Sequence, residues 1–365
     1  MDKVAIKPRI RGDSFITELL HRKGARGGIP ISGTFELTAR CNFNCKMCYV
    51  HQQHSKEQEL TAAQWLAMGK EMAARGMVFL LLTGGEPFLR ADFPEIYLGL
   101  RRLGLMVSVN TNASLLTDEI LAAFQEAPPA RVNVTLYGGS EETYSTLCGN
   151  AAYATVTENI LRMQAAGVYV KINATVNPYN VSDIDAIYQF GREHDLSVRG
   201  TAYMYPPVRT CGEKSPCKRF SPKEAAECML KFREQYLSPE QIRSLAVSAE
   251  DVEDDCATDG GPMRCRAGRT SLWVTWDGRL LPCGMFPTEG YSLLSHSFDE
   301  AWSGVRADVA KVVMPVECNT CGKRDHCGAC AASCLAENGD TRLKPDYICE
   351  MTEWLDRLIH EKYGR

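Results

Sequence analysis

The feature of this sequence that most constrains its fold is a regular alternation of apolar, β-branched runs with helical segments. The segment between the first two runs, 61–76, has Ala and Leu at helical spacing, a threonine at its start and a glycine at its end. Strands that alternate with helices form a parallel sheet, so the pattern predicts an α/β fold, either barrel-like or doubly wound. The six apolar runs are 33–38, 78–84, 105–112, 131–138, 168–177 and 197–205.

Polar motifs follow the predicted strands where each one ends. The stretch CNFNCKMC comes directly after the first strand, and TGGEP, NTN and TLYGG end the next three. In both kinds of parallel fold, ligands and reacting groups collect at the carboxyl ends of the strands. These four motifs are therefore expected to lie close together at one end of the sheet.

Cysteine usage indicates metal chemistry. The 365-residue chain contains sixteen cysteines and carries a net charge of −4. It has neither an apolar run of about 18 residues nor the apolar core of a signal peptide, so a cytoplasmic protein without a membrane partner is expected. The charge gives no general attraction to nucleic acid. Cytosolic thiols are kept reduced, so metal ligation explains the clusters at 41–48 and 256–349 better than disulfides do.

The first cysteine cluster supplies three ligands rather than four. Cys41, Cys45 and Cys48 can hold three corners of a 4Fe–4S cluster and leave one iron open to a small molecule. The alternative is a zinc site in which His51 is the fourth ligand, because short Cys/His motifs commonly bind zinc. A zinc site has no use for the TGGEP motif on the next strand, and this favours the cluster.

These motifs resemble those of the radical S-adenosylmethionine (SAM) enzymes, over about residues 30–205. In that family CxxxCxxC follows the first strand of a partial (β/α)6 TIM-like barrel, and SAM chelates the open iron of the 4Fe–4S cluster. Reductive cleavage of SAM then releases a 5′-deoxyadenosyl radical. The resemblance implies that the GGEP motif meets the amino group of SAM, with glycines that let the backbone approach the ligand. The SAM-contacting residues that it implies are Tyr49, Gly84, Gly85, Glu86, Asn110, Asn112 and Thr135.

The alternation of strands and helices stops after 206–207, and a small cysteine-rich region with short strands follows a helical segment. Residues 250–352 resemble the SPASM domain, which holds two auxiliary 4Fe–4S clusters. The expected divisions are an N-terminal extension (1–32), the barrel (33–210), a bridging segment (211–250), the iron–sulfur domain (251–352) and a C-terminal helix (353–365).

The SPASM resemblance also implies ligands for two clusters. One cluster would take Cys265, Cys283 and Cys330, with Cys334 as the alternative to Cys330 because the spacing after Cys327 departs from the family pattern. Its last ligand would be Cys256, or would be missing. The second cluster would take four further cysteines: Cys318, Cys321, Cys327 and Cys349. Cys148, Cys211, Cys217 and Cys228 are expected to be buried thiols rather than ligands.

The expected function is hydrogen abstraction from a peptide or protein substrate, giving an oxidative modification such as a thioether or carbon–carbon cross-link. Expected partners are an electron donor of the flavodoxin or ferredoxin type and a separate leader-binding protein, since only some 32 residues precede the first strand. Three alternatives remain open. A sulfatase-maturing enzyme would carry Asp where Gly284 stands, a small-molecule dehydrogenase would have fewer auxiliary cysteines, and an electron carrier would not need the open site. No catalytic acid or base is identified.

Overall fold

A computed structural model describes residues 12–50, 58–209, 218–247, 263, 265–319, 321–323 and 327–364. Its strands are β1 (Ser32–Glu36), β2 (Phe79–Thr83), β3 (Met106–Thr111), β4 (Arg131–Thr135), β5 (Val170–Thr175), β6 (Ser197–Thr201), β7 (Ser271–Val274), β8 (Arg279–Leu281) and β9 (Tyr291–Ser292).

Twelve α-helices lie within the described ranges. They are α1 (Gly12–Gly27), α2 (Ala62–Ala74), α3 (Phe93–Arg102), α4 (Asp118–Glu126), α5 (Glu141–Cys148), α6 (Tyr153–Ala165), α7 (Ile184–Glu193), α8 (Pro222–Tyr236), α9 (Pro239–Val247), α10 (Phe298–Ala310), α11 (Ala331–Asn338) and α12 (Asp346–Tyr363).

The sheet confirms the predicted α/β fold. Its strand order is β6-β5-β4-β3-β2-β1-β7-β8-β9, and β1 to β6 are all parallel, each paired with its neighbour in sequence. Connections through helices produce this order, since a parallel pair needs a crossover. The carboxyl ends of β1 to β4 therefore lie side by side, as the four polar motifs require.

The two faces of the parallel sheet differ in chemistry. One residue in two along each strand packs against the helices, as Phe35 does on Trp65 of α2 with 4.8 Å between the ring centroids. On β4 the valines 132 and 134 are fully buried in this layer, while Arg131 and Thr135 point to the other face. The inner face of the partial barrel is thus largely polar, and the hydrophobic core lies between sheet and helices.

The cysteine-rich region adds to the same sheet. Strand β7 pairs with β1 in parallel, with Phe35 opposite Val274, and β8 and β9 follow in antiparallel pairing. Helix α1 meets the same region through the His21 Nδ1–Thr270 Oγ1 hydrogen bond of 2.8 Å. The sheet therefore continues from the barrel into the region predicted to bind the auxiliary clusters.

The C-terminal helix begins at Asp346, seven residues before the boundary expected from the sequence. Cys349 therefore lies in the first turn of α12. The helix buries Met351, Leu355 and Ile359 in an apolar cluster shared with α8. In the part of the chain that the structure describes, no helix has the length and hydropathy needed to cross a membrane.

Candidate active site at the carboxyl ends of the strands

The loop that carries the first three cysteines rests on the end of helix α5. The backbone N–H of Asn44 donates to the carbonyl of Cys148 (2.8 Å), and that of Lys46 donates to Leu147 (2.9 Å). The last carbonyls of a helix have no partner within the helix, so they are available to hold a loop. From the other side, the Asn112 amide donates to Asn42 Oδ1 at 2.9 Å.

The three thiols of this loop are half-buried and lie close enough to influence one another. Burial raises the pKa of Cys41 to about 12 and that of Cys48 to about 11, and the Cys45 thiol adds to both shifts. The Cys41 sulfur accepts the Phe43 N–H at 3.4 Å, a bond that favours a thiolate. Such a set binds protons tightly until a metal displaces them.

Cys148 has a closer relation to this loop than its distance in the sequence suggests. It is fully buried in the main apolar core, as expected for a thiol that is not a ligand. Its side chain is nevertheless hydrogen-bonded to that of Cys45, and this contact, with burial, raises the pKa of Cys45 well above its usual value. No sequence signal distinguished Cys148 from the other isolated cysteines.

The donor set fits an iron–sulfur cluster. Among the described residues, no three Cys, His, Asp or Glu side chains converge on a point where one metal ion could be held. In a 4Fe–4S cluster each thiolate binds its own iron, so neighbouring thiols on one loop suffice. His51, the fourth ligand of the zinc alternative, lies outside the described residues.

Gly84 and Gly85 are needed for close approach to the backbone that precedes Cys41. A Cβ atom on Gly85 would lie 2.2 Å from the Arg40 carbonyl oxygen, and one on Gly84 would lie 2.7 Å from that of Thr38. The two segments are joined by hydrogen bonds from Gly85 N to Thr38 O and from Glu86 N to Arg40 O, both 2.8 Å. Because these glycines have no side chain, the TGGEP turn packs directly against the backbone of residues 38–40. This contact places the turn beside the cysteine loop.

We expect Gly85→Ala to destabilise the fold by about 3 kcal/mol, because a backbone carbonyl cannot move aside as a flexible side chain can. The measurement is the free energy of unfolding in urea. Gly27→Ala is the matched control, since its Cβ would meet only the side chain of Ile29, at 3.2 Å. Equal stability of the two variants would contradict this account of the turn.

Glu86 is fully buried and its carboxylate is engaged by the chain itself. It accepts hydrogen bonds from Thr111 Oγ1 (2.6 Å), Asn112 N (2.6 Å) and Phe88 N (3.0 Å). Burial raises the pKa of Glu86 to about 7, against the effect of these three donors. The carboxylate that the resemblance assigns to SAM therefore also joins the ends of β2 and β3.

The remaining residues expected to contact SAM surround the same end of the barrel. Asn110 Oδ1 accepts from the Asn133 amide at 2.8 Å on the inner face, and Thr135 ends β4 on that face. The ring of Tyr49 is 38% exposed and lies 6.5 Å from that of Tyr205. The structure thus places Asn110 and Thr135 on the inner face of the barrel and Tyr49 beside Cys48, and their contact with SAM stays a prediction.

The C-terminal cysteines fall into two groups by their mutual influence. Burial raises the pKa of Cys265 to about 11, and the thiols of Cys330 and Cys283 raise it further. Cys330 thus lies with Cys265 and Cys283, while the Tyr205 hydroxyl is 3.4 Å from the Cys330 sulfur. Cys256, the predicted last ligand of this group, lies outside the described residues.

The second group contains Cys318, Cys327 and Cys349. Burial raises the pKa of Cys349 to about 11, with further contributions from Cys327 and Cys318. Cys334 is fully buried, and its pKa is raised to about 12 by burial and by thiols of both groups, Cys318 before Cys330. Cys321 is exposed. This arrangement favours Cys330 over Cys334 as the ligand shared with Cys265 and Cys283.

A buried ion pair joins the barrel to the first of these groups. Arg209 donates to both oxygens of Glu36, and its Nε donates to the carbonyl of Gly284 at 2.8 Å. The backbone N–H groups of Val208 and Arg209 donate to the Tyr49 carbonyl. Sequence reasoning missed this pair, although a glutamate inside an otherwise apolar strand, GTFELT, is a signal for an inward-facing partner.

Comparisons with known proteins agree with this geometry. Residues 35–191 match the protein family that is described as "Radical SAM superfamily". The AdoMet-dependent heme synthase of Methanosarcina barkeri is 28% identical over 327 residues, which cover 84% of this chain and 92% of the relative.

Two solved structures share the fold. SuiB of Streptococcus suis, bound to precursor peptide SuiA, superposes with a TM-score of 0.68 at 16% identity, over 96% of this chain and 83% of SuiB. The structure of anSMEcpe with bound AdoMet and Cp18Cys peptide gives 0.66 at 17% identity, over 92% and 99% of the two chains. Residues 35–191 thus match a family that implies a 4Fe–4S cluster and SAM, and the two solved structures share the fold of the chain.

Proposed function

We propose that the chain is a radical SAM enzyme that abstracts hydrogen from a peptide or protein substrate, with two auxiliary clusters in its C-terminal region. The observation that carries the proposal is the placement of two cysteine groups on either side of one buried ion pair. Tyr49 follows Cys48 and lies beside Arg209, while Arg209 binds the carbonyl next to Cys283.

The chain's own residues have separate tasks in this proposal. Cys41, Cys45 and Cys48 would hold the open-site cluster, and the end of α5 together with Asn112 would keep their loop in position. The Glu36–Arg209 pair would fix the distance between the barrel and the first auxiliary group. When bound, cluster and SAM supply a primary carbon radical, and auxiliary clusters supply an acceptor for the electron left on the substrate.

A sulfatase-maturing reaction finds less support because of the packing around Gly284. A Cβ atom at this position would lie 2.5 Å from Cε2 of the Trp273 ring. The Asp that such enzymes carry here therefore has no room without moving Trp273 on β7. This leaves cross-linking or another oxidation of a peptide as the proposed reaction.

A second candidate function is oxidation of a tetrapyrrole. The heme synthase relative supports it, because the similarity extends over 92% of that protein. Heme is a tetrapyrrole with carboxylate side chains, and oxidation of such a side chain uses the same initial hydrogen abstraction. The similarity to SuiB and anSMEcpe, at 16–17% identity, supports a fold that this chain shares with those two proteins.

Mass spectrometry of substrates distinguishes the two functions. The reconstituted enzyme with SAM and dithionite is incubated either with short peptides encoded beside its gene or with coproporphyrin-type tetrapyrroles. Loss of hydrogen from a peptide, without change in the tetrapyrrole, is the expected result. Oxidation of the tetrapyrrole alone would replace the first proposal by the second.

A further inference from the structure

Three cationic side chains lie together on the inner face of the partial barrel. Arg131 on β4, Lys171 on β5 and Arg199 on β6 each alternate with residues that pack against the helices. Lys171 is half-buried, and the two arginines are exposed at the edges of this face. We refer to these three residues as the basic triad.

Strand register accounts for the proximity of the three charges. Lys171 is paired with Asn133, two residues from Arg131, and with Ser197, two residues from Arg199. Diagonal neighbours on adjacent strands lie about 7–8 Å apart, within reach of long side chains. Burial lowers the pKa of Lys171, and the charges of Arg199 and Arg131 lower it further, in agreement with this register.

The triad has no counter-charge in the described part of the chain. No carboxylate there forms an ion pair with any of its members, and no acidic group contributes to the shift at Lys171. Two other half-buried cations, both on helices, do pair with carboxylates: Lys231 with Asp185 and Arg162 with Asp118. Like charges that are held together in a partly buried place repel one another and lower the stability of the fold. The triad therefore makes no favourable structural contribution that its contacts explain.

We propose that Arg131, Lys171 and Arg199 bind carboxylate groups of the substrate inside the partial barrel. This inference rests on the proposed function, and it specifies the chemistry that the substrate must carry. Carboxylates are common to both candidate substrates, as acidic side chains of a peptide or as side chains of a tetrapyrrole. Arginine and lysine are the usual partners of carboxylates, and each charge-assisted bond contributes strongly.

The position of the triad also sets the size of the substrate. Lys171 lies four residues before Thr175 at the carboxyl end of β5, which corresponds to about 13 Å along the strand. Between them the inner face offers uncharged polar groups, Asn173 on β5 and the Asn110–Asn133 pair on the neighbouring strands. A carboxylate bound by Lys171 would therefore lie about 13 Å below this end of the sheet, less the reach of the lysine side chain, whereas Arg199, two residues before the end of β6, lies about 7 Å below it.

Binding of defined probes to the reconstituted holoenzyme tests the inference. The probes are hexaglutamate and coproporphyrin III, which represent the two sources of carboxylate, with hexaglutamine as the uncharged control. We expect one of the carboxylate probes to bind and hexaglutamine not to bind. Lys171→Gln and Arg199→Gln should each raise the Kd of that probe about tenfold, as expected for loss of one charge-assisted bond. Lys70→Gln, which removes an exposed charge on α2, is the control that should leave Kd unchanged.

Thermal stability separates ligand binding from a structural role. Because Lys171→Gln relieves repulsion within the triad, we expect its Tm to equal or exceed that of the wild type. A lower Tm together with weaker binding would show that Lys171 supports the fold and would overturn the inference. Equal binding of hexaglutamate and hexaglutamine, or no binding of either carboxylate probe, would also overturn it. Release of 5′-deoxyadenosine by the wild-type enzyme without substrate is measured in parallel, because its absence would refute the proposed function instead.

Discussion

Simultaneous replacement of Cys41, Cys45 and Cys48 by alanine is expected to abolish release of 5′-deoxyadenosine from SAM, by more than about 100-fold. All three thiols of the proposed open-site cluster would be lost, so SAM would have no iron to chelate. The loop itself should persist, because the backbone N–H groups of Asn44 and Lys46 donate to the carbonyls of Cys148 and Leu147, and the Asn42 side chain accepts from the Asn112 amide. The substitutions leave these contacts in place. Product analysis by liquid chromatography under anaerobic conditions gives the rate.

The control for this variant is Cys228→Ala, which removes a buried thiol on α8 in the second apolar cluster. It should lose some stability and keep SAM cleavage. Iron content provides a second check, since the triple variant should lose about four of roughly twelve iron atoms per chain, one cluster of three. Persistent SAM cleavage in the triple variant would refute the assignment of the loop.

The second large effect is expected from Cys283→Ala, which should reduce product formation about 100-fold while SAM cleavage continues. Cys283 precedes Gly284, whose carbonyl accepts a hydrogen bond from Arg209 Nε, and Arg209 also pairs with Glu36 on β1. Its cluster would therefore lie nearest the barrel and would be the first acceptor of the substrate electron. The measurement is the ratio of modified substrate to 5′-deoxyadenosine.

The matched variant is Cys349→Ala, in the first turn of α12. We expect it to lose the iron of the second auxiliary cluster and to keep α12, because Met351, Leu355 and Ile359 hold that helix against α8 independently of the thiol. It should retain more product formation than Cys283→Ala. Equal loss of product in both variants, with both soluble and cleaving SAM, would contradict the division of roles between the two groups.

The sequence predicted the parallel part of the fold well because its signals are local. Each of the six apolar runs overlaps an observed strand, with ends that differ by a few residues, as for 33–38 against Ser32–Glu36. The helix predicted over 61–76 spans Ala62–Ala74, and Thr61 caps it as the sequence suggested. Period and capping are properties of a few neighbouring residues, so one chain suffices to recognise them.

Contacts between distant segments could not be predicted in the same way. Nothing in SLWV (271–274) indicates that β7 pairs with β1, since any edge strand offers the same backbone groups. The expectation that Gly85 lets the backbone approach a ligand stays a prediction, and no signal in the sequence indicated that its Cβ position would lie against the Arg40 carbonyl. Both cases depend on which segments meet in space.

The interior of the barrel shows the same limit. Alternation along β4, β5 and β6 places Arg131, Lys171 and Arg199 on one face, yet one sequence reveals neither the strand register nor the lack of a paired carboxylate among the described residues. The Glu36–Arg209 pair joins residues 173 positions apart, and Arg209 also donates to the Gly284 carbonyl in the predicted iron–sulfur domain. The sequence therefore predicted the class of chemistry, while the residues that arrange it became apparent only from the fold.

The most direct test of the central claim is SAM cleavage by the wild-type protein after anaerobic reconstitution with iron and sulfide. With dithionite as the electron donor, we expect 5′-deoxyadenosine and methionine to appear together, and both to be absent when the reductant is omitted. Iron loading must be verified in the same sample. A fully loaded protein that releases no 5′-deoxyadenosine would contradict the claim that Cys41, Cys45 and Cys48 hold a SAM-cleaving cluster.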